Sequence, residues 1–194
     1  MKKIFSMVLI LVFIFAGIPS VYSQEECISQ NKTVTVKTNP SSEAGSPQGL
    51  VDGSTKASNA NMYYQWNWSP WFCIDLGGYY EISGLKWLAR YETTTGELEA
   101  QIYGAISDDW SDKELIVNSQ SGMTFEHSIS ENRPVYRYII VERSGKGCGL
   151  GGKEFYVYGK DVSQNYTADK AQDNNSDTYW MSSKPQGYLQ LDLG

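Results

Sequence analysis

The 194-residue chain contains one histidine, His127, and three cysteines, Cys27, Cys73 and Cys148. Each scarcity excludes a chemistry. A lone histidine between Glu126 and Ser128 does not make a triad, because triad partners meet in space, and no G-x-S-x-G elbow is present. No two cysteines have C-x-x-C spacing, which removes the usual zinc frameworks. Beyond residue 16 no apolar run approaches the ~20 residues that a membrane-spanning helix needs. Basic residues are in deficit, 16 against 22 acidic, so nucleic acid and anionic membrane are disfavoured as charge-driven partners. Glycosidase chemistry needs two carboxylates held across a sugar, and nothing in the sequence selects two of the 22 acids. The reading is therefore non-enzymatic.

The apolar run that is present opens the chain. Lys2 and Lys3 precede IFSMVLILVFIFA at residues 4–16; Gly17 and Pro19 break the run, and Val21 and Ser23 stand at −3 and −1 of a cleavage site before Gln24. This is the layout of a secretory signal peptide over 1–23, which predicts a secreted, extracellular protein. Its removal takes two of the 16 basic residues and no acid, leaving a net charge of −8. Outside the cell a pair of the three cysteines would oxidise. Three pairings are open, with Cys27–Cys148 preferred because it ties the start of the chain to its last strand.

A glycine run invites a nucleotide reading. Gly147, Gly149 and Gly152 satisfy G-x-G-x-x-G, and Gly147, Gly152 and Lys153 fit a P-loop except at Glu154. A phosphate cradle needs a helix after the glycines. Here EFYVY at 154–158 is a strand pattern, and Glu154 cannot replace the magnesium-binding hydroxyl. Nucleotide is excluded; the glycines are expected to form a tight, positive-φ loop that lets backbone crowd a ligand or another loop.

Elsewhere short β-like runs alternate with turn residues. They fall at 33–36, at 71–76 with Phe72, Ile74 and Leu76 on one face, and at 82–91, 98–106, 136–141 and 155–158. Such a set predicts an all-β sandwich. The landmarks also repeat. Asp52 aligns with Asp173, and Asp75-Leu76-Gly77 with Asp192-Leu193-Gly194, so a unit of ~120 residues, a normal domain size, begins again near residue 163. The division expected is a first unit at 24–160 and, at 161–194, the N-terminal fragment of a second.

The ordered motifs carry a family resemblance. Asp52-Gly53, PWFCIDLG at 70–77, Ser107-Asp108-Asp109 (as in an "SdDg" turn), Arg137-Tyr138-Ile139 and EFYVYG at 154–159 resemble the coagulation factor 5/8 type C, or discoidin, domain. In the second copy Ala171, Asp173, Thr178, Trp180 and 185–194 do the same. That family is similar to the family 32 carbohydrate-binding modules. The resemblance implies an antiparallel jelly-roll β-sandwich of the galactose-binding-like fold, followed by a truncated second copy.

It also implies sites. A structural calcium ion is expected on the carboxylates of Asp52 and Glu154 and the carbonyls of Leu50 and Ser54, a hard-oxygen set. The threonine of the family pattern falls on Ala57 in the first copy, and the second keeps Thr178. A sugar pocket needs flat rings with amide or cationic groups at their edge. The aromatic loop at 59–71 supplies Tyr64, Trp66 and Trp68 beside Asn59, Asn61 and Asn67, with Trp71 and one of Trp66 or Trp68 filling the core or its rim. Arg90 and Tyr91 end one strand and Arg143 and Lys146 another, at the same end of the sandwich. The function implied is non-catalytic binding or adhesion, with a glycan or glycoconjugate as partner. A cell-surface protein or a lipid stays open as the alternative partner, as does an accessory region of a larger secreted glycoside hydrolase. The net charge and the polar stretch at 92–97 weigh against membrane. N-x-S/T sequons at Asn31, Asn67, Asn165 and Asn174 matter only in a eukaryotic host.

Overall fold

The computed structural model describes residues 25–37, 43–56, 62–88, 100–120, 124–143, 148–174 and 180. Among the described residues are eleven strands: β1 Glu26–Cys27, β2 Thr33–Val36, β3 Glu43–Gly45, β4 Tyr63–Trp68, β5 Trp71–Leu88, β6 Ala100–Ala105, β7 Glu114–Gln120, β8 Thr124–Ser128, β9 Val135–Arg143, β10 Cys148–Gly152 and β11 Glu154–Asp161. Every pairing is antiparallel, and the only helical pieces among the described residues are 3-10 turns. The expected all-β antiparallel class is what the chain adopts.

Strand β5 explains the architecture. Its first half pairs with β2 and β9, Cys73 standing opposite Thr35 and Ile140. Its second half pairs with β11 and β8, Leu85 standing opposite Val157 and His127. On a straight strand Phe72 and Trp87 would lie roughly 50 Å apart; their ring centroids are 5.9 Å apart. The strand therefore folds back, and its two halves belong to facing layers. The bend lies after Asp75, whose Oδ1 accepts the Gly77 N–H at 2.8 Å. Gly77 has φ 77, which a residue without Cβ adopts freely.

One core fills the space between the layers. Phe72, Ile74 and Leu76 come from the first half of β5, as their alternation predicts; Ile82, Leu85 and Trp87 come from the second. Phe155 on β11 completes a triangle of rings with Phe72 and Trp87, with centroids 5.7 and 5.8 Å away. Edge-to-face and tilted contacts of this kind add ~0.5–1.5 kcal/mol per pair beyond burial. Buried Ser29 ties the edge of this layer, accepting from Val157 N and donating to Phe155 O.

A small sheet, β10–β4–β3, covers one end of the sandwich. It sits where β5 ends at Leu88 and β9 ends at Arg143: Lys153 N donates to Leu88 O, Arg143 N to Pro70 O, and the buried Gln65 side chain to Trp71 O. Here the structure departs from the sequence reading. Residues 63–68 of the expected aromatic loop are strand β4, and residues 148–152 of the expected glycine loop are strand β10, although Gly149 does take a positive φ of 101. Runs 71–76 and 82–88 are one continuous strand.

Cys27 and Cys73 are free thiols, so the expected Cys27–Cys148 bridge does not form. The reason is topological. Cys27 lies on β1 opposite Tyr158, whereas Cys148 lies in the end sheet opposite Trp68. Cys73 is buried on the outer side of β5. After β11, two 3-10 turns, Ser163–Tyr166 and Ala168–Gln172, follow, and the first docks on the β5 bend. Ser163 Oγ accepts from Tyr79 N at 2.8 Å, and the Tyr166 ring meets that of Tyr79 at 5.2 Å. Most of the expected second copy, residues 175–179 and 181–194, lies outside the described residues.

Candidate functional site

Two groups of sequence-predicted residues meet at the covered end. The first is built on the loop after the 3-10 turn Pro47–Leu50 and on the first residue of β11. Asp52 Oδ1 accepts the Ser54 N–H at 2.7 Å, which curls the loop. Glu154 Oε1 accepts the Gly53 N–H at 3.2 Å. Glu154 is 1% exposed, and its Oε2 has no hydrogen-bond partner. Burial pushes the Glu154 carboxyl up to about 8, and the adjacent negative charge of Asp52 adds to the effect. A buried carboxylate with a spare oxygen, beside a second carboxylate on a curled loop, fits a hard cation. Among the described residues no group of three or more His, Cys, Asp and Glu could hold a metal. A cation here would thus take most of its remaining oxygens from backbone carbonyls, such as those of Leu50, the last residue of the 3-10 turn, and Ser54 on the loop.

The second group is organised by Gly149. Arg143, half-buried at the end of β9, donates from Nη1 to Gly149 O at 3.1 Å. From the other side the Tyr64 hydroxyl stands 2.1 Å from where a Cβ on Gly149 would be. Only glycine permits this approach at φ 101. The expectation that glycines let backbone crowd a neighbour is met, and the neighbour is β4. Tyr64 itself needs correction as a sugar-facing ring. It is 4% exposed and held between β3 and β10, so it offers no free face for stacking.

The remaining predicted ligand residues are only partly located. Trp66, Asn67 and Trp68 fall on β4, with Trp68 in register with Cys148; their side chains are outside the described residues. Asn59, Asn61, Arg90, Tyr91 and Lys146 also lie outside them. A separate cavity of about 340 Å³ beside the β5 bend is lined by Lys32, Tyr80 and Asp161 among others, and none of the predicted ligand residues contributes to it.

Sequence reasoning missed a further cluster. Trp71 was expected in the core or at its rim. It packs at the rim of a second buried cluster, on the outer face of β5, where its ring meets that of Trp110 at 5.0 Å. The signal was available in the parity of β5, since Trp71 alternates with the inward Phe72. Nothing local announces its pairing with Trp110.

Solved structures share this architecture. A fucose-binding module of Streptococcus pneumoniae is 20% identical, with a TM-score of 0.55 over 70% of this chain and 96% of its own. A fucolectin from striped bass (Morone saxatilis) serum has a TM-score of 0.61 at 16% identity, over 78% of this chain and 60% of its own. A CBM32 module of Clostridium perfringens, solved with GalNAc-β-1,3-galactose, has a TM-score of 0.53 at 16% identity, over 69% and 99%. By sequence, no protein family and no curated protein matches the chain. The likeness establishes the fold: a galactose-binding-like β-sandwich, the class that the motifs resemble.

Proposed function

We propose that this chain is a secreted, non-catalytic glycan-binding module that recognises a glycan or glycoconjugate at the end of the sandwich covered by β10–β4–β3. The observation that carries the reading is the meeting of Arg143 and β4 across Gly149. It puts a guanidinium at the end where β5 and β9 stop, beside the strand that carries Trp66 and Trp68, the rings proposed to face the sugar. Guanidinium donors suit sugar hydroxyls, and aromatic faces suit sugar C–H faces. The fold supports the same reading, since its structural neighbours include fucose-binding modules and a CBM32 module solved with a disaccharide. Asp52 and Glu154, with carbonyls of Leu50 and Ser54, would hold a calcium ion that stiffens the loop beside this end. The leader at 1–23 supports export, and the repeated landmarks after residue 161 support a second module, which would raise avidity through effective concentration.

The test is a glycan array with the secreted chain, run with calcium and with EDTA. Binding to fucosylated or galactosylated glycans that Arg143→Ala abolishes is expected. Retention on cells stripped of sugar, with no glycan signal, would instead assign the end loops to a protein or lipid partner. Turnover of a bound glycan would overturn the non-catalytic reading.

A further inference from the structure

The outer face of the large sheet carries a second cluster that the end site does not use. Cys73 of β5, Ala105 of β6, and Tyr138 and Ile140 of β9 form a buried patch, packed under Trp71, Tyr103 and Trp110. Trp110 comes from the loop between β6 and β7, which is tied down from within. The Asp112 carboxylate accepts from Ile106 N at 3.0 Å, Ser107 N at 3.2 Å and the Ser107 hydroxyl. Asp109 accepts from Ser111 N and Oγ at 3.0 and 2.8 Å. The loop holds Trp110 at φ 56, a backbone region that bulky side chains rarely occupy and glycine fills freely. A plug for an apolar patch does not require that conformation, and backbone outliers of this kind gather at functional sites.

The result is a corner of two half-buried indoles, 84° apart, with a polar rim. Lys113 lies 4.6 Å above the Tyr103 ring and pairs with Glu142 at 2.7 Å. Tyr103 OH donates to Gln101 Oε1, and Gln101 Nε2 to Asn118 Oδ1. Trp71, Glu142 and Gln101 are direct cross-strand partners on β5, β9 and β6. They therefore form a row at right angles to the strands with steps of about 4.8 Å, comparable to one sugar ring.

We propose that the Trp71–Trp110 corner, rimmed by Glu142, Lys113 and Gln101, is a second carbohydrate-binding surface that takes a neutral saccharide chain laid across the strands. Lys113 is paired with Glu142 and Arg137 with Asp75, and Asp109 and Asp112 on the Trp110 loop add negative charge, so an anionic ligand is disfavoured. The carboxylate and ammonium each keep unused hydrogen-bonding capacity for hydroxyls. Beyond the corner itself, Leu115 is the one exposed large hydrophobic residue among those described, which favours a small polar ligand over a broad protein face. This surface uses none of the end-site side chains, although Trp71 and Glu142 adjoin the end sheet through Gln65 and Arg143.

The experiment titrates the full secreted chain with neutral tetrasaccharides of different linkage (cello-, laminari- and chito-oligosaccharides), reading the indole N–H resonances of Trp71 and Trp110. Both resonances are expected to shift with at least one of these probes. Trp110→Gly suits the left-handed backbone, so it removes the ring and keeps the loop; it should weaken that binding at least tenfold. Gln101→Ala should weaken it several-fold. Unchanged affinity in Trp110→Gly overturns the proposal, as does failure of every probe to shift the two indoles. Shifts abolished by Arg143→Ala and not by Trp110→Gly report the end site alone and also overturn it. Loss of fucoside or galactoside binding in Arg143→Ala bears on the end site only, so the two readings fail separately.

Discussion

Glu154 accepts a hydrogen bond from the backbone N–H of Gly53, 101 residues earlier in the chain. This contact joins the start of β11 to the loop that follows the 3-10 turn Pro47–Leu50. It also leaves a buried carboxyl whose titration is linked to folding.

In EDTA the stability should fall as pH rises from about 4.5 towards about 8. Over that window the unfolded Glu154 has lost its proton while the folded one, raised to about 8, retains it. The loss is on the order of a few kcal/mol across the window. Thermal melts at stepped pH check this. Glu154→Gln should flatten the slope, and a slope unchanged in that variant would remove Glu154 as its source.

Gly149→Ala should destabilise the chain and weaken ligand binding together, because a Cβ there would overlap the Tyr64 hydroxyl and strain a backbone at φ 101. A cost of about 1–3 kcal/mol is expected. Tyr64→Phe in the same chain removes the clashing hydroxyl and should recover part of it. Additive effects in a urea-unfolding double-mutant cycle would show that the two residues are not coupled.

Phe155→Ala opens the ring triangle with Phe72 and Trp87 and should cost about 3–5 kcal/mol. Tyr156, next along β11 and facing the other way, should tolerate Ala at about 1 kcal/mol or less. Comparable losses at the two positions in chemical denaturation would contradict the assignment of faces.

Cys73 should resist alkylation in the native chain at pH 8 and react once the chain is unfolded. Burial raises its thiol to about 12, with the Asp75 charge adding to the rise. The unfolded thiol ionises first, so stability should also decline as pH rises from about 9 towards about 12. Peptide mapping after brief iodoacetamide treatment would locate the modified residues; native labelling at Cys73 would place it outside the buried patch.

Some of the molecule was legible before the structure. The alternation of Phe72, Ile74 and Leu76 assigns one face of β5 to the core, because side chains on a strand have a strict period of two. Strand β4 was not legible as a strand. Its consecutive Tyr63, Tyr64 and Gln65 are all buried, so no polar face marks an alternation. The Asp52–Glu154 pair was reached through a motif resemblance, whereas the burial of Tyr64 and the Trp71–Trp110 corner were not reached at all.

What the sequence by itself determined is the class: many short strands and the inward faces of the longer ones. What only the tertiary structure decided is which faces meet. The bend that brings Trp87 back onto Phe72, the sheet that closes over Tyr64, and the loop that lays Trp110 on Trp71 all depend on long-range pairing. Side-chain alternation is written into each strand locally. The partner across the sheet is chosen by the whole chain when it buries its core.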